Sequence, residues 1–192
     1  ARWEDLLQPR VIEHLENKIL PAYLMKMRWF GGKGKGLDSL RIVSHATIPL
    51  GENLPGYILL LEATYQNDLP EMYQLHVAFG KQPFSFRVRE DCPQAVIAQI
   101  KIEEEEGVLF DGVYGQELQL ALINNMAAQE SVETRDGHIH FSGNEDLENH
   151  IKDTEKIKPR VMSAEQSNTS LAIDSKYFFK LYRKVDRAIN PD

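Results

Sequence analysis

The 192-residue sequence predicts an α+β fold: two antiparallel-sheet subdomains with packed helices, about 1–90 and 91–192. Three observations carry this. A helical apolar period at the N-terminus gives way to period-two runs and short apolar runs from residue 37 onward. The runs are joined by turn-rich connectors short enough for hairpins, so neighbouring strands should pair antiparallel. Asp91-Cys92-Pro93 then interrupts the pattern and marks the boundary.

Residues 9–28 read as helix. Ile12, Leu15 and Ile19 recur on one side, with Val11 and Leu20 beside them. Pro21 can open a second short helix, where its missing N–H costs little, and Tyr23, Leu24 and Met27 continue the apolar side. Gly31-Gly32 must stop the helix. Strands are expected at 39–48, 57–65, 72–79 and 84–89, separated by the turn-forming stretches 51–56 and 66–70. After the boundary, 95–102 and 106–110 read as strands. Residues 114–128 read as a helix with Leu118, Leu122, Ile123 and Met126 in one stripe. The polar stretch 129–156 reads as loop, with a small hairpin around Asp136-Gly137. Strands follow near 158–165, 169–173 and 177–183.

Composition narrows the function classes. Net charge is −7 with a pI of about 5.4, which disfavours a general nucleic-acid role. The single cysteine, Cys92, allows neither an internal disulfide nor a cysteine zinc site, and points to a reducing, cytoplasmic setting. No apolar run approaches the length of a membrane span, and the N-terminus is no signal peptide. The missing initiator Met fits either processing or excision from a longer chain.

The most informative stretch is AEQSNTSLAIDSKYFFK, residues 164–180. Small and polar residues Gln166, Ser167, Asn168, Thr169 and Ser170 lie beside a strand, and a lone lysine, Lys180, lies in the aromatic strand after it. In a hairpin of 169–173 with 177–183, a two-residue turn puts Lys180 opposite Thr169, and a three-residue turn puts it opposite Ser170. Directly paired Cβ atoms are about 5 Å apart. Lys180 then shares a face with Phe178 and Tyr182, while Phe179 and Leu181 point the other way. Small residues let backbone N–H groups and hydroxyls reach an anion, and a lysine adds charge, so this layout suits phosphate binding. The bland alternative is a lysine that runs past its aromatic neighbours to solvent.

Four segments carry a family resemblance. Residues 20–35 (LPAYLMKMRWFGGKGK) resemble the N-terminal signature of bacterial maltokinases, including those fused to trehalose synthase. Residues 165–170 (EQSNTS) resemble the family's phosphate-loop segment. Residues 179–183 (FKLYR), followed by Asn190-Pro191-Asp192, resemble its lysine strand and the approach to the next helix; 110–118 (FDGVYGQEL) is similar more loosely. The resemblance implies an ATP- and Mg²⁺-dependent kinase phosphorylating maltose to maltose 1-phosphate in trehalose and glycogen (α-glucan) metabolism. It also implies that the chain forms the N-terminal lobe of an aminoglycoside-phosphotransferase-like, eukaryotic-like kinase, with a cap and an intermediate subdomain. Gln166, Ser167, Asn168, Thr169, Ser170 and Lys180 would then bind nucleotide. Such kinases also need a catalytic-loop aspartate and magnesium ligands after the lysine strand. No such loop occurs before Asp192, so the chain is expected to be a catalytic-lobe-free, inactive N-terminal piece with no catalytic residues or metal ligands of its own. The rival expectation is a non-catalytic cap that docks to trehalose synthase.

Other motifs have bland readings beside the sharp ones. The glycine-rich 29–36 stretch lacks Walker A spacing; with Lys26, Arg28, Lys33 and Lys35 it could bind an anionic partner, but it reads better as a helix stop with Trp29 and Phe30 anchored on the sheet. His138 and His140 could begin a metal site with Asp136 or Glu133, yet a solvated hairpin fits better. Glu103–Glu106 lacks EF-hand spacing and reads as a solvated face. Cys92 has no activating neighbour in sequence and reads as structural.

Overall fold

A computed structural model describes residues 3–51, 53–102, 104–153, 157–162 and 167–186. The chain is α+β with antiparallel sheets. It opens with a 3₁₀ turn, Trp3–Leu7, then helix α1, Pro9–His14. A π-turn over Leu15–Ile19 leads into α2, Leu20–Leu24, which carries Pro21 in its first turn. A proline here lacks an N–H and its ring crowds the carbonyl four residues back. The wider turn answers this: the Leu20 N–H reaches the Leu15 carbonyl, five residues back. Successive turns carry the chain from Leu24 to the glycines, so the regular helix ends before residue 28.

Strands β1 (Leu37–Leu50), β2 (Asn53–Tyr65) and β3 (Glu71–Lys81) follow as a meander. The expected strand at 84–89 is instead helix α3, Phe84–Asp91. Phe84, Phe86 and Val88 alternate as a strand would, but 84 and 88 also share a helix face. Phe84 packs inward with the buried Val88, while Phe86 is left 57% exposed. Next come β4 (Val96–Ile102), β5 (Glu105–Asp111), a 3₁₀ turn Gly112–Tyr114 and α4, Gln116–Ala127.

The principal sheet has the order β1-β2-β3-β5-β4. It therefore runs across the expected boundary at Asp91–Pro93, because β5 hydrogen-bonds β3. One face takes the N-terminal helical layer: Leu15, Leu20, Tyr23 and Leu24 pack on Leu40, Leu59, Leu61 and Leu75. The other face takes α4, where Leu118 and Leu122 meet Ile48, Ile58, Ala78 and Phe110. Covering both faces explains the unbroken apolar run at residues 57–61, since every side chain there is buried or nearly so.

The hairpin β6 (Ser131–Glu133) and β7 (His138–His140) forms where expected. The rest of the polar stretch differs from expectation, because Glu145–Asp153 is helix α5. Asn144 caps it by accepting from the Leu147 N–H, and Leu147 and Ile151, one turn apart, pack on the Ile123, Ile157 and Ile173 cluster. A three-stranded sheet of order β10-β9-β8 follows: β8 is Pro159–Met162, β9 Asn168–Ile173 and β10 Tyr177–Tyr182. The chain then crosses back, and β11, Lys184–Val185, pairs with Tyr73 and Met72 of β3. None of the helices among the described residues is long and apolar enough to cross a membrane.

Candidate functional site

Lys180 lies opposite Ser170, and Tyr177 opposite Ile173, so the hairpin uses the three-residue register. Asp174 and Ser175 make the turn in the left-handed region, at φ 49° and 58°, and the Lys176 N–H closes it onto the Ile173 carbonyl. Asp174 also accepts from the Lys158 N–H and pairs with His150 of α5 at 3.1 Å, which fixes the turn against its surroundings.

The half-buried Lys180 side chain places its Nζ 4.9 Å from the centre of the Tyr182 ring. Phe178, on the same face, is exposed. Gln166 lies outside the described residues. Ser167 is exposed, and its Oγ accepts from Asn168 Nδ2 at 3.3 Å. Ser170 is fully buried, and its Oγ has no hydrogen-bond partner. Thr169 points to the opposite side of the hairpin, where its Oγ1 accepts from Arg183 Nε at 2.8 Å.

Arg183 was not singled out in the sequence, although it shares parity with the inward Phe179 and Leu181. It is wholly buried. Its Nη2 donates to Asp111 Oδ2 at 2.6 Å, and the guanidinium carbon sits 4.9 Å from the Trp29 ring centre. Asp111 uses its other oxygen to cap the following 3₁₀ turn through the Val113 N–H, and Tyr23 Oη donates to Oδ2 at 3.4 Å. Burial and the Asp111 carboxylate push the Tyr23 phenol well above its ordinary value. Tyr23 and Trp29 come from segment 20–35, Asp111 from 110–118, Thr169 from 165–170 and Arg183 from 179–183. The four segments that carry the family resemblance therefore meet at one guanidinium.

A second cluster explains the glycine-rich stretch. Glu71 at the start of β3 accepts from Lys35 (2.9 Å) and Lys184 (2.8 Å) on one oxygen, and from Tyr65 (2.7 Å) and Tyr73 (2.6 Å) on the other. Burial alone would raise its carboxyl, but the four donors outweigh it and hold the group down at about 2. Phe30 is buried against Tyr73, and a Cβ on Gly32 would lie 2.5 Å from Tyr65 Oη. The stretch thus ends the helical layer and anchors it on the sheet.

Residues 23–114 match the family model of the maltokinase N-terminal cap domain. The chain thus carries a maltokinase-type N-terminal region. The match begins at Tyr23 and closes at Tyr114, so the cap contributes Tyr23, Trp29 and Asp111 to the buried cluster. Thr169, Lys180 and Arg183 come from sequence beyond it.

Next to the cap, a cavity of about 280 Å³ runs along four consecutive residues of β10, Phe179 to Tyr182. Gln74 and His76 of β3 also line it. Gln74 Nε2 donates to the Tyr182 carbonyl at 2.8 Å, tying β10 to the cap sheet. His76 is buried; burial first, then the nearby Arg183, pulls its imidazole down to about 3, so it is neutral at physiological pH. The two exposed imidazoles of His138 and His140 stack at 5.9 Å, and His140 Nδ1 bonds Ser131 Oγ. Among the described residues no group of three or more His, Cys, Asp or Glu is placed to hold a metal ion.

Proposed function

We propose that this chain is the N-terminal lobe of an ATP-dependent, eukaryotic-like sugar kinase of maltokinase type, forming maltose 1-phosphate from maltose in α-glucan metabolism. The observation that carries the reading is the maltokinase cap match over 23–114, joined through buried Arg183 to the strand that bears Lys180. In this reading Gln166 to Ser170 cover the nucleotide phosphates and Lys180 holds the α- and β-phosphates. The exposed Ser167, the adjoining Asn168 and a lysine opposite Ser170 fit an anionic tail. Thr169 contributes through its backbone alone, because its side chain leaves the hairpin on the side away from Lys180, where its oxygen accepts from Arg183. Mg²⁺-ATP supplies the phosphoryl group when bound; the described residues do not fit a metal site, so its ligands and the acceptor-orienting aspartate belong to further sequence in this reading. The single cysteine accords with a cytoplasmic setting.

The test is ATP-dependent phosphorylation of maltose by the intact gene product. Lys180→Ala should lower kcat/KM about 100-fold or more, the usual scale for removing a preorganised charge from a transferring phosphoryl group. A variant as active as the parent would remove Lys180 from the site. A parent without maltose-dependent ATP turnover would remove the kinase reading itself.

A further inference from the structure

A second cavity, of about 410 Å³, lies between the turn at residues 26–29, the 3₁₀ turn Pro93–Ala95, Tyr114 and strands β8 and β9. Lys180 and Ser170 do not line it. Thr169 does, and Thr169 pairs with Leu181 while Lys180 pairs with Ser170, so the two side chains leave the hairpin on opposite sides. The cavity therefore opens on the Thr169 side of the hairpin; of the two β9 residues among its described lining, Asn168 alone shares the parity of Ser170.

From its lining we infer that this cavity is a binding site for a sugar phosphate. Among the described residues that line it, the charged side chains are those of Lys26 and Arg28, both exposed. Among the described residues no carboxylate lines it, although the chain as a whole carries net charge −7. Asp91 is close by but stands outside the lining, and the Cys92 thiol is pushed up by burial and by Asp91, so it stays neutral. A described lining with two cations and no acid sets this recess apart in an otherwise acidic molecule. The Thr169 hydroxyl adds a donor: its oxygen accepts from Arg183, which leaves its own proton to give.

The remaining walls suit a sugar. Trp29 and Tyr114 offer ring surface to C–H groups, and the amides of Gln94 and Asn168 suit hydroxyls. A cavity near the lower end of the ordinary ligand-site range fits a hexose phosphate better than a nucleoside triphosphate. The inference rests on the cavity and not on phosphoryl transfer.

The sole cysteine lines the same cavity and supplies the assay. The alkylation rate of Cys92 by iodoacetamide is measured by mass spectrometry on this chain, with α-glucose 1-phosphate, glucose, inorganic phosphate or ATP added in turn. The sugar phosphate should slow alkylation severalfold and saturably, and more than any other addition. Lys26→Ala/Arg28→Ala should abolish the protection, judged as the ratio of rates with and without α-glucose 1-phosphate in the same variant, so that any change in the rate without ligand cancels. Four results would overturn the inference: no protection by α-glucose 1-phosphate, equal protection by phosphate or glucose alone, stronger protection by ATP, or protection that survives in the double variant. Because alkylation requires no turnover, failure here and failure of the kinase reading are told apart.

Discussion

Asp111 is wholly out of water and faces one cation, whereas Glu71 is one-tenth exposed and faces two lysines and two phenols. The first carboxylate joins the cap to sequence beyond it through one buried cation; the second gathers Lys35 of the glycine-rich stretch and Lys184 from beyond the cap at the start of β3. Low dielectric strengthens the Asp111–Arg183 attraction, but both ions lost their hydration to form it, so the pair fixes an arrangement more than it adds net stability. Glu71 spreads its charge over four donors, two of them on half-open lysines that salt can screen. The buried ion pair between the cap and later sequence is thus all-or-none, and the anchor of the glycine-rich stretch is graded.

The largest effect should come from breaking the all-or-none cluster. Arg183→Met strands a buried carboxylate and should cost about 3–5 kcal/mol in urea unfolding, with Arg183→Met/Asp111→Asn recovering much of it. Raising the salt should change this difference little, because no solvent reaches the pair. A single variant costing under about 1 kcal/mol would show that the pair is dispensable.

Glu71→Gln tests the graded cluster. Holding the carboxyl at about 2 rather than 4.5 corresponds to about 3 kcal/mol, and the half-open lysines reduce this to roughly 2. The folded-state value is the depressed one, so the contribution is complete above pH 4.5 and drains away as pH falls from 4.5 towards 2. The parent should therefore lose stability over that window relative to Glu71→Gln, and the two curves should converge near pH 2. Parallel curves would assign the cluster no electrostatic role.

Much of this framework was legible from local pattern. The meander, α4, the β6–β7 hairpin and both candidate registers of Lys180 followed from period and turn chemistry. What stayed hidden was hidden for separable reasons. Phe84, Phe86 and Val88 satisfy two periods at once, and tertiary contact at positions 84 and 88 selects the helix. Helix α5 has few apolar positions, yet Asn144 with Leu147 and Ile151 was a readable cap and stripe. The join of β5 to β3 and the return of β11 are long-range pairings that no local window contains. Asp111 and Arg183, 72 residues apart, meet only in the tertiary fold, and no local window contains both. Only parity with Phe179 and Leu181 hinted that Arg183 turns inward.

The smallest effects separate two glycines in one motif. A methyl on Gly32 would lie 2.5 Å from Tyr65 Oη and 2.6 Å from Phe30 Cζ. Neither can yield freely, because the Tyr65 hydroxyl is bonded to Glu71 and Phe30 is buried against Tyr73. Gly32→Ala should cost about 1–3 kcal/mol by overpacking. Gly34, two residues on, has nothing within 4 Å of its would-be Cβ. Gly34→Ala should be neutral or gain up to about 1 kcal/mol through the unfolded chain. Thermal unfolding of the two variants side by side checks the pair. If Gly34→Ala were the costlier, the glycines would serve the turn's backbone rather than its fit against Tyr65, and the Glu71 cluster would lose its place as the anchor of this stretch.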